Sequence, residues 1–164
     1  MYISFDELPG NARIWWYQAD RNLSPSEIEI LDSQLRSNMD NWLTHGMPMK
    51  GSFTILFDRV ILIGADTDFQ SPSGCSIDSS TRWLKDLGAQ LGLQLFDRSI
   101  GYFKDDELNF ISFFDAKKVI QEGHIQSDTK ILNTQISSKD DVDTRLTIPA
   151  SETFLKRYFE KVTL

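Results

Sequence analysis

The stretch "SFTILFDRVILIGAD" (52–66) does most to limit what this chain can fold into. It holds two strand-sized runs, with a tight turn expected at Asp58-Arg59. Phe53, Ile55 and Phe57 alternate along the first run. Val60 to Ala65 is apolar throughout, as in a strand buried on both faces. A hairpin of this kind needs further strands and helices to complete its sheet and cover it.

The flanking segments supply them. "ARIWWYQAD" (12–20) is a continuous apolar run and reads as a strand. "LSPSEI" follows, with Ser24 as helix N-cap, Pro25 at the first helical position and Glu27 closing a capping box. Leu23 and Ile28 are spaced for a hydrophobic staple. The helix is expected to carry Ile28, Leu31, Leu35, Met39, Trp42 and Leu43 on one face and to stop at Gly46. After the hairpin, Ile77, Leu84, Leu87 and Leu91 mark a second helix that stops at Gly92. "LQLFDRSIGYF" (93–103) reads as a fourth strand.

Strand, helix, strand, strand, helix, strand is the order of the ferredoxin-like split βαβ arrangement, an α+β fold. On this reading the first and third strands are parallel neighbours at the sheet centre, and both helices cover one face. The expected core spans about 10–104. The rest, about 105–164, is expected to cover the other face as a β-α-β-α extension within a single domain, 1–164. It offers a turn and strand at 105–113, a short helix at 113–123 closed by Gly123, and a strand at 130–136. The polar stretch 137–145 reads as a loop. A terminal helix is expected to be capped by Ser151, with Leu155, Tyr158, Phe159 and Val162 on one face.

Composition narrows the function classes. A net charge of −7 and a pI near 4.8, with no basic cluster, speak against nucleic acid or an anionic membrane as partner. The longest apolar run, "VILIGA", is too short to span a bilayer, and "MYISFDELPG" has no secretory character. One cysteine allows no internal disulfide and agrees with a reducing cytoplasm, the expected location.

The densest chemistry lies in "SPSGCSIDSS" (71–80). With a helix starting near Ser76 to Ser79, its unpaired amides, flexible Gly74 and the hydroxyls of Ser76, Ser79 and Ser80 could hold an anion or small ligand. The plainer alternative is that Ser76 or Asp78 caps the helix and the other serines face water. Cys75 at a helix N-terminus is a candidate nucleophile. It has no evident base, since His45 is expected at the far edge and His124 in an "EGHI" turn. Six residues separate Cys75 from Arg82, where the tyrosine-phosphatase loop has five. Parallel central strands would also bring Gln18, Asp20, Arg21, Asp66, Asp68, Cys75 and Asp78 to one edge of the sheet. Clustered aspartates there could hold a hard cation, though a plain polar rim is the simpler reading, and no metal or cofactor is assigned.

The opening "ISFDELPGNARIWWYQADRNLS", the central "SGCSIDSS" and the following "LFDR" resemble a family of small, uncharacterised bacterial proteins, chiefly from Bacteroidetes, often catalogued as ABC transporter ATPases. The resemblance runs over most of the chain and implies no catalytic residues. ATP hydrolysis is not expected, because the chain contains no Gly-Lys pair and hence no phosphate-binding Gly-Lys-Ser/Thr loop. Two functions follow as expectations. One is a binding module whose small anionic ligand or protein partner meets the Gly74–Ser80 edge; "FISFFD" reads more simply as core, and only if exposed would it suit a protein partner or a homodimer. The other is a hydrolase or transferase using Cys75, or an aspartate-held metal, at that edge.

Overall fold

The computed structural model describes residues 1–160 and is mixed α+β, with antiparallel sheets. The chain divides into two compact units. One comprises Met1–Asp97 with Ile136–Val142; the other comprises Arg98–Gln135 with the chain from Asp143.

In the first unit, β1 (Arg13–Gln18) leads to α1 (Pro25–Asp40). The local signal there is obeyed. Ser24 Oγ accepts from Glu27 N–H, Glu27 accepts from Ser24 N–H at 2.9 Å, and Pro25 begins the helix. The helix ends at Asp40, however, and does not continue to Gly46. His45 and Gly46 both adopt left-handed φ (50° and 78°), making a two-residue turn between the short strands β2 (Leu43–Thr44) and β3 (Met47–Pro48). Trp42 and Leu43 keep helical spacing in the sequence but leave the helix, because this turn takes over the chain.

The hairpin β4 (Gly51–Leu56) and β5 (Val60–Ala65) forms as expected, with its turn one residue early: Phe57 and Asp58 take the left-handed φ values. The strand order is β1-β5-β4. β5 runs antiparallel to β1, with Arg13 opposite Ala65 and Gln18 opposite Val60. The expected parallel pairing is therefore overturned, and the reason is topological. The crossover through α1 returns β4 parallel to β1 with a one-strand gap between them. The tight turn then sends β5 back down that gap, opposed to both.

α2 (Gly74–Leu91) closes on Gly92 in left-handed conformation, as its sequence suggests. Leu31, Leu35 and Met39 from α1 and Leu84 and Leu87 from α2 pack on the sheet face carrying Tyr17, Phe53, Ile61, Ile63 and Ala65. The expected fourth strand is split. Phe96 makes only a single bridge to Gln18, whereas Ile100–Lys104 belongs to the second unit. The outer edge of β1 is shared: at its Gln18 end Gln18 N–H donates to Leu95 O (3.1 Å) and Asp97 N–H to Gln18 O (3.0 Å), and at its Arg13 end the Ser137 carbonyl accepts from Ile14 N–H at 2.9 Å.

The second unit has a four-stranded antiparallel sheet in the order β7-β6-β8-β9: β6 (Ile100–Lys104), β7 (Glu107–Ile111), β8 (Lys130–Leu132) and β9 (Thr147–Pro149). Gly101 in β6 is closely packed, since a Cβ there would lie 2.6 Å from Leu132 Cδ1 and that side chain would have to shift. Ile100, Ile131, Ile125, Ala116 and Leu155 form its core, with α3 (Ala116–Gln121) against it. The polar 137–145 stretch, which belongs to the first unit up to Val142, contains α4 (Lys139–Arg145), not a loop. Ser138 and Asp141 cap each other's backbone N–H groups, a box hidden within a charged sequence. Ser151 caps nothing; it lies inside a 3-10 turn (Ala150–Glu152), and α5 (Lys156–Phe159) starts only after Leu155. Val162 lies outside the described residues.

Candidate functional site

The antiparallel pairing dismantles the expected acidic edge. Asp66 follows Ala65, at the Arg13 end of the sheet, while Asp20 lies beyond Gln18, at the other end. A six-residue strand separates the two ends, roughly 17 Å. Asp66 and the start of α2 therefore sit near one end, and Asp20 and Arg21 near the opposite one.

Each group has local employment. Asp66 Oδ1 accepts from the N–H groups of Asp68 (3.0 Å) and Phe69 (3.2 Å), and Asn11 donates to the Asp68 carboxylate. Asp20 accepts from Gln94 N–H at 3.3 Å. Arg21 grips Glu27 with two hydrogen bonds, 3.0 and 2.8 Å. That contact, with the Ser24 N–H, holds the Glu27 carboxyl down to about 2 and strengthens the start of α1. Among the described residues no three His, Cys, Asp or Glu side chains are grouped as a metal site.

The "SPSGCSIDSS" stretch is also rearranged. α2 begins at Gly74, not near Ser76 to Ser79, because Ser73 is its N-cap. Ser73 Oγ accepts from Ser76 N–H at 3.2 Å, and Ser76 Oγ accepts from Ser73 N–H at 2.7 Å, a capping box with serine at both ends. Gly74 is thus an ordinary first-turn residue. Ser79 Oγ donates to Cys75 O and Ser80 Oγ to Ile77 O, so the helix backbone takes up these hydroxyls. Asp78 is exposed and caps nothing. What remains available is the Cys75 thiol, which is exposed, beside the first two amides of the helix. His45 sits on the β2–β3 ribbon, which packs on α2 through Trp42, whose Nε1–H donates to Ser76 O at 2.9 Å. Among the described residues no hydrogen bond links Cys75 to either histidine, so no thiol–imidazole pair is assembled.

A partly buried polar network joins Gln18, Arg59 and Asp97, residues that no periodicity connects. Arg59 Nε donates to Ala19 O (2.9 Å) and its guanidinium faces Asp97 at 3.6 Å, while Gln18 Nε2 donates to Asp97 at 3.3 Å. It ties the 94–97 segment to the hairpin turn, which is a structural task.

The feature with the clearest outward chemistry lies in the second unit. Phe113 stacks on Phe154 (ring centroids 5.3 Å, planes 23° apart) and meets Phe114 edge-on at 5.9 Å. Phe114 is 91% exposed, and Phe113 and Phe154 are nearly half exposed. Arg157 lies over Phe154 and, at 4.8 Å, over Tyr158. "FISFFD" signals half of this face in the sequence. Phe154 and Arg157 carry no such signal, because their neighbours Leu155 and Tyr158 fit a helical core pattern.

Among the described residues no helix is long and apolar enough to cross a membrane. Comparison of the chain with protein-family models, curated proteins and solved structures finds no match.

Proposed function

We propose that the chain is a binding module without catalytic chemistry of its own, and that its aromatic face Phe113–Phe114–Phe154 receives a protein partner. The observation that carries this reading is Phe114, a ring left 91% in water beside two half-exposed rings. A cluster of exposed aromatics costs solubility, and such patches generally mark contact surfaces. Arg157, which lies over Phe154 and donates to the Tyr158 hydroxyl at 2.8 Å, has no carboxylate partner among the described residues. It favours a partner that presents a carboxylate beside an apolar anchor.

A direct test uses 8-anilinonaphthalene-1-sulfonate, an apolar anion, as probe. Native protein should enhance its fluorescence saturably, and both Phe114→Ser and Arg157→Gln should weaken that binding several-fold with unchanged circular dichroism. Equal binding by all three proteins contradicts the reading. Concentration-dependent dimerisation lost in Phe114→Ser would make the partner a second copy.

A second reading rests on Cys75: an exposed thiol beside two amides without intrahelical acceptors suits a small anion or an electrophile. The serine hydroxyls, already bonded to backbone, lend it no further donors. The strand order β1-β5-β4 with two helices on one face supports reading the first unit as a ferredoxin-like core that lacks its fourth strand.

A further inference from the structure

We draw no further inference here: the strongest remaining candidate, the cleft of about 310 Å³ between the C-terminal half of α2 and residues 93–96, has mixed polar and apolar walls with Lys85 as the one charged lining group, and nothing in the structure shows what covers it.

Discussion

Replacing glycine by alanine at the two ends of α2 should change stability in opposite directions. Alanine is favoured over glycine inside a helix by about 1 kcal/mol, so Gly88→Ala looks stabilising from sequence alone. At Gly88, however, the new Cβ would lie 2.7 Å from the Leu93 carbonyl oxygen and 3.6 Å from Leu95 Cγ. Ordinary contacts begin near 3.4 Å, so the 93–95 backbone would have to retreat by several tenths of an ångström. Overpacking of this kind costs about 1–3 kcal/mol. The same shift strains the 2.8 Å hydrogen bond from Leu93 N–H to Gly88 O, worth about 0.5–1.5 kcal/mol. Less the helix-propensity gain of about 1 kcal/mol, the net expectation is a loss of roughly 0.5–3.5 kcal/mol. At Gly74 a Cβ would meet nothing within 4 Å and no left-handed φ is needed, so Gly74→Ala should gain about 0.4–1 kcal/mol. All four tryptophans (15, 16, 42 and 83) lie in the first unit, so urea unfolding followed by their fluorescence reads that unit. The midpoints should move apart at unchanged m-value. A Gly88→Ala protein as stable as Gly74→Ala would mean that the 93–95 segment does not pack on α2.

Three other expectations follow from single residues. Glu27, held near 2 by Arg21 and the Ser24 N–H, stabilises the fold fully above the ordinary carboxyl range, and this contribution fades as pH falls from about 4 through 2. A carbon-detected NMR titration should find its midpoint near 2, and Arg21→Gln should raise it. A wild-type midpoint at the ordinary value would remove the Arg21 contact. Ser24→Ala should cost about 1 kcal/mol by the same denaturation assay. Cys75 should react with iodoacetamide in the native protein; a thiol silent until unfolding would place it inside the core and end the second reading. Purified protein should not turn over ATP, and steady hydrolysis abolished by a point substitution in this chain would contradict that.

The parts of the fold legible in the sequence are those fixed within a few residues. Ser24-Pro25-Ser26-Glu27 carries all the groups of its own cap, and Gly92 ends α2 through one backbone conformation. The start of α2 is ambiguous in the sequence because serines at 73, 76, 79 and 80 are all competent caps. In the structure Ser73 is the cap, through its reciprocal bonds with Ser76, and Trp42 bonds to Ser76 O in the same first turn. The direction of β5 relative to β1 follows from hairpin geometry, but apolar runs carry no direction, and a parallel assignment puts Asp20 beside Asp66. The acidic edge falls with that assignment. The aromatic face is half visible because Phe113 and Phe114 are adjacent in sequence, whereas Phe154 reaches them only through the fold.

If Phe114 is a point of contact and not of chemistry, a photo-crosslinker in its place should trap the partner. Benzoylphenylalanine placed at position 114, and separately at the exposed Phe57 and Phe69, should be photolysed in cells that make the protein naturally. One discrete adduct is expected from position 114 alone, suppressed by excess wild-type chain but not by the Phe114→Ser chain. No adduct from 114, or the same adducts from all three positions, would contradict it.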